Sequence, residues 1–167
     1  MSALEPPDTH YLSAAIGWLE LGNPAEAKTE LARMTQPSRR NPDVLEVEWA
    51  IHAAQSDWSA GLLAAQTLMQ VDPKRASGWL HHAYALRRVA GGGLQAAWDA
   101  LEPAFEKFPE EPTIPYNLSC YACQMARTDD ARKWLQRALK IGQRKRIKQM
   151  ALKDADLEPL WDEIRQL

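Results

Sequence analysis

The sequence predicts an all-α solenoid assembled from repeated pairs of antiparallel helices. Three observations carry this reading. Small residues at Ala27, Gly61, Ala97 and Ala131 recur at intervals of 34, 36 and 34 residues, the spacing of a two-helix repeat. Prolines recur at Asn41-Pro42, Asp72-Pro73 and Phe108-Pro109, each followed by a large apolar or aromatic residue at Leu45, Trp79 and Tyr116. Between these landmarks, apolar residues fall on one stripe at helical spacing.

The elements follow in order. Residues 1–8 are a lead, and four repeats are expected at about 9–41, 42–75, 76–111 and 112–142. The first keeps the pattern with Tyr11, Ala14, Ala15, Trp18, Gly22, Ala27, Leu31 and Met34. Asn23-Pro24 marks the start of its second helix, and its closing loop, 36–42, is long. Leu45, Trp49, His52, Gly61, Ala65 and Leu68 hold the second, with Ser56-Asp57 as turn and cap. The third has Trp79, Ala83, Leu86, Ala97, Leu101 and Ala104. Its turn, Ala90-Gly91-Gly92-Gly93, is two residues longer and reads as a flexible elbow. A phosphate cradle would need a preceding strand and a following Gly-Lys-Ser/Thr, and neither is there.

The fourth repeat is the clearest. Its first helix is expected over 113–126, with Leu118, Tyr121, Ala122 and Met125 at helical spacing. Asp129 is expected to cap the second helix, which carries Ala131, Trp134, Leu135 and Ala138 and stops at a left-handed Gly142. Ser119, Ala131 and Ala138 are small where the two helices meet. The remaining 143–167 form a capping tail, because a terminal repeat otherwise leaves an apolar face bare. A short helix over 145–152 is expected to set Ile147 and Met150 against that face. Asp156 is then expected to cap a last helix bearing Leu157, Leu160, Trp161 and Ile164, with Pro159 in its first turn.

With these residues in view, the chain resembles tetratricopeptide repeat (TPR) proteins over about residues 9–142. Tyr116-Asn117-Leu118-Ser119-Cys120-Tyr121-Ala122-Cys123, followed by Asp130-Ala131-Arg132, carries the strongest match. The tail, Asp-x-Asp-Leu-x-Pro-Leu-Trp from Asp154 to Trp161, resembles those of small bacterial TPR proteins. The chain departs from the family pattern where Glu48-Trp49 replaces the usual pair in the second repeat. The resemblance implies a right-handed α-solenoid whose first helices line a concave groove. It assigns Leu12, Ile16 and Glu20 to that groove, then Glu46, Ala50 and Ala53, then Leu80, His81, Tyr84, Arg87 and Arg88. The fourth repeat adds Tyr116, Asn117, Cys120 and Gln124. Some family members clamp a C-terminal carboxylate with Lys, Asn and Arg, but Leu12, Ile16 and Glu46 stand in those places here.

Composition narrows the function. The chain is 46% hydrophobic and 25% charged with net charge −2, as in an ordinary globular protein and unlike a polycation that coats nucleic acid. Two cysteines fit a reducing compartment. The N-terminus lacks the basic and apolar regions of a signal peptide, and no apolar run would span a bilayer. A cytoplasmic location away from the membrane is expected.

Catalytic and metal constellations are missing from the sequence. Cys120-x-x-Cys123 lies two turns inside its expected helix, where the helix dipole does not activate a thiol, and no second pair completes a zinc site. Packing is the simpler reading. His81 and His82 point about 100° apart on a helix and do not share a metal. No Ser/His/Asp order, HExxH or paired carboxylate frame occurs, so neither enzyme activity nor a cofactor is expected.

Charge is uneven. Residues 127–153 hold ten of the 20 Lys and Arg and carry net +8, whereas 154–167 carry net −4. The acidic tail is expected to fold back and neutralise part of the basic segment; the alternatives are that the segment binds an acidic protein segment or nucleic acid, although it lacks the interleaved aromatics of a single-strand binder. The function these readings support is a non-catalytic scaffold or adaptor that binds a peptide of a partner protein. The alternatives are a client chaperone like those of type III secretion, or a self-associating module.

Overall fold

The computed structural model describes residues 3–167. They are helical with no strand among them, and they divide into two compact units, Met1–Ala90 and Gly91–Leu167. No helix among the described residues is long and apolar enough to cross a membrane.

The N-terminal unit holds α1 (Asp8–Glu20), α2 (Pro24–Ala32), α3 (Pro42–Ala54), α4 (Trp58–Val71) and α5 (Ala76–Leu86). Their starts are written locally. Asn23 accepts from the Glu26 N–H, Asn41 from Asp43 and Asp57 from Ala60, satisfying donors that lack a partner in the first turn. Pro24 and Pro42 occupy the first helical positions, where a missing N–H costs nothing. The long 36–42 loop contains a 3₁₀ turn, Ser38–Arg40. Arg39 holds it by donating to the carbonyls of Ala32 and Met34. Asp8, buried at the start of α1, accepts from the backbone and hydroxyl of Thr35. Hydrogen bonds from Ser38 and Thr35 keep its carboxyl below the usual range. Ala15, Ala27, Leu31, Met34, Val44 and Ile51 form the core of the first helices, with Tyr11, Leu12 and Trp18 against it. Gly78 admits α4 closely, since a Cβ there would lie 3.1 Å from Met69 Cγ.

The C-terminal unit holds α6 (Leu94–Leu101), α7 (Ala104–Lys107), α8 (Thr113–Gln124), α9 (Thr128–Ile141), α10 (Arg144–Ala151) and α11 (Trp161–Gln166), with a 3₁₀ stretch at Ala155–Leu160 before α11. The second helix of the third repeat is interrupted between α6 and α7. Pro103 supplies no N–H and its ring clashes with the preceding turn, yet Ala104 stays buried. Ser119 donates across to the Ala131 carbonyl at 2.8 Å, and Ser119, Ala131 and Ala138 are wholly buried. Small side chains thus set the approach of α8 and α9.

Three hairpin turns close in the same way. The chain turns left-handed at Gly22, Ser56 and Ala126, with φ of 74°, 56° and 60°. The next N–H then bonds back five residues: Asn23 to Trp18, Asp57 to His52, Arg127 to Ala122. This six-to-one closure ends a helix by satisfying its last carbonyls. The elbow after Ala90 also uses left-handed glycines, Gly91 and Gly93.

Local details of the fourth repeat and tail differ from expectation. The start of α9 has no side-chain cap, and Asp129 instead accepts from Arg132. Gly142 is extended rather than left-handed. It is glycine because a Cβ would meet Ile147 Cδ1 at 2.6 Å and the Pro112 ring at 2.9 Å, where α10 folds back. Asp154, not Asp156, caps the turn that follows α10, by accepting from the Asp156 N–H. Ile147 is buried, but Met150 is 42% exposed.

Candidate peptide-binding faces

In the N-terminal unit the expected groove residues lie on α1, α3 and α5. Leu12 packs partly into the core, whereas Ile16 is 41% exposed. Glu46 is committed to a polar network. It accepts from Ser77 and Arg75, and Arg75 also bonds Asp43 at 2.7 Å and Asp72 at 3.2 Å. Asp43 first, and then Glu46, hold the Arg75 guanidinium firmly charged. Glu46 therefore ties α3 to the start of α5.

An aromatic cluster sits beside that network. His81 stacks on Trp49 with ring centroids 3.8 Å apart and planes 10° apart. Burial lowers the His81 pKa to about 4, with Glu46 opposing the shift, so the ring is neutral at physiological pH. Tyr84 meets Trp49 and Trp58, each at 5.8 Å. Arg88 lies 3.5 Å over the Tyr84 ring and 5.1 Å from the Trp58 ring, and donates to the Tyr84 carbonyl. Tyr84 remains 36% exposed. Its packing holds a large amphipathic ring at the surface with little rotamer freedom left to lose. Leu80 and Arg87 are half-buried on the same stretch. Trp58 was not among the expected groove residues, because it begins the second helix of its repeat. The Asp57 cap before it is the local signal that fixes its place.

The C-terminal unit is arranged differently. Three of its four expected groove residues on α8 hold the chain's own tail. Tyr116 Oη donates to Asp154 Oδ2 at 2.9 Å, the Cys120 thiol lies 3.6 Å from the same oxygen, and Gln124 donates to the Asp156 carbonyl at 3.1 Å. Tyr116 and Cys120 are consequently buried, while Asn117 is half-buried. Burial, then the Cys120 thiol and the Asp154 bond, push the Tyr116 pKa upward. Burial also raises the Cys123 thiol, so it is a poor nucleophile. Cys120, Asp154 and Asp156 bring ligand atoms within 4.8 Å of one another. Their geometry serves the tail: Asp154 accepts from Tyr116 and Cys120 with one oxygen and from the Asp156 N–H with the other.

No protein-family model matches the chain, and no curated protein sequence matches it. Among solved structures it is similar to MamA, as the RS-1 ArsTM double mutant. The two share 14% identity over 98% of this chain and 97% of that one, with a TM-score of 0.69. MamA is a TPR helical solenoid protein, and this likeness establishes the fold: the chain is all-α and TPR-like.

Proposed function

We propose that the chain is a TPR protein acting as a non-catalytic cytoplasmic scaffold, and that the α3–α5 face of its N-terminal unit binds a peptide segment of a partner. The observation that carries this reading is the exposed Tyr84 ring, held between Trp49 and Trp58 under the Arg88 guanidinium. Rigid aromatics with an adjacent arginine are the composition of interface hot spots. Ile16 and Leu80 supply further apolar contact, and Arg87 and Arg88 favour acidic residues at the peptide's edge. Because Tyr116, Cys120 and Gln124 already hold the tail, the reading rests on the N-terminal unit. The two buried cysteines are not joined in a disulfide, which fits a reducing compartment.

The test is a titration with the partner peptide obtained by affinity purification. Tyr84→Ala is expected to weaken binding by about 1–3 kcal/mol, the range of a hot-spot truncation, with an unchanged helical spectrum. Equal affinity for wild type and variant would reject this face.

A further inference from the structure

The acidic tail folds back and neutralises the basic segment only in part, at Arg132. Among the described residues, Asp154, Glu158 and Asp162 of the tail make no ion pair with the rest of that segment. Glu163 pairs with Arg132 through two bonds of 2.7 Å, and Asp162 pairs with Arg165. Asp154 and Asp156 sit against α8. Lys140 and Arg146 are exposed and make no ion pair among the described residues. Arg137 is exposed, and its guanidinium lies over the Trp134 and Phe105 rings at 4.3 and 5.3 Å.

These cations edge a cleft. A depression of about 520 Å³ is floored by Pro112, Ile141, Ile147 and Met150, with Thr113 and Arg146 at its sides. Ile141 also lines a second depression, of about 410 Å³, together with Arg137, Lys140 and Glu110. Gly142 makes the first depression possible, since α10 turns back over Pro112 only where no Cβ intervenes. Met150, 42% exposed among the residues that line it, is an adaptable apolar contact.

We infer that this cleft between α8, α9 and α10 is a second binding surface, for an acidic protein segment carrying one or two apolar side chains. Unpaired cations along an apolar floor are complementary to alternating carboxylates and apolar anchors. A nucleic acid strand would fit less well, because it needs aromatic platforms for its bases. Tyr116 is buried here and Phe105 lies under Arg137. The inference is independent of the Tyr84 face and uses none of its residues.

The test uses the full chain and three fluorescent probes of similar charge: a peptide alternating Glu with Leu, a peptide of Glu with Ser, and a single-stranded oligonucleotide. The Glu–Leu peptide is expected to bind at least tenfold more tightly than either other probe, and more weakly as salt rises. Lys140→Glu with Arg146→Glu, and separately Met150→Asp, are each expected to weaken that binding tenfold or more. Both sites are exposed, so the helical spectrum and melting temperature stay as in wild type, and the losses are read in the Tyr84→Ala background, where the first face is disabled. Equal binding of the two peptides, tightest binding of the oligonucleotide, or full binding by the charge-reversed variant would each overturn the inference.

Discussion

Replacing Trp134 by alanine is expected to destabilise the C-terminal unit by about 3–5 kcal/mol, the cost of truncating a buried tryptophan. Trp134 is 8% exposed. Its ring meets Trp98 edge-on at 6.0 Å and Phe105 at 5.1 Å, and Arg137 covers it at 4.3 Å. The indole joins α6, α7 and α9, so its loss removes contacts on three helices and leaves a cavity that rigid neighbours fill poorly. Urea denaturation followed by circular dichroism measures the change. A loss below 1 kcal/mol would mean that the ring is not the packed centre described here.

Deleting residues 143–167 is expected to have a larger effect. The tail buries Ile147, Ala151, Leu157, Leu160 and Ile164, the last three at 1% exposure or less. Burying each large apolar side chain stabilises by about 1.5–3 kcal/mol. Four of them approach the whole stability of a typical domain, about 5–15 kcal/mol. Deletion also leaves Tyr116 without Asp154 and Arg132 without Glu163. The prediction is loss of dispersed amide signals from residues 91–142, or aggregation through the bared faces of α8 and α9. A truncated chain with native signals there would show that the tail is dispensable to the fold.

Much of the architecture is legible in the sequence because it is periodic and local. Ala27, Gly61, Ala97 and Ala131 mark close helix contacts and are all buried. Asn23, Asn41 and Asp57 cap the helices that follow them. Features that depend on distant partners are not legible. Ser56 and Ala126 take left-handed turns that composition assigns to glycine, because the hairpin closure around them fixes the backbone. Gly142 looks like a helix stop, but its reason is Pro112, thirty residues earlier. The same holds for the candidate sites. Tyr84 can be placed by repeat register, whereas the Tyr116–Asp154 bond, spanning 38 residues, has no local signature. The register alone therefore assigns Tyr116, Cys120 and Gln124 to an open groove, though they hold the tail.

The central claim is that the α3–α5 face of the N-terminal unit receives a partner. Photo-crosslinking tests it most directly. A photoreactive phenylalanine at position 84 is compared in cells with one at position 63, on α4, where Leu63 is 65% exposed. Crosslinked peptides are then mapped by mass spectrometry. The account predicts one recurrent partner peptide joined at position 84 and absent at position 63. Equal labelling at both positions, or none at position 84 while the partner still co-purifies, would contradict it.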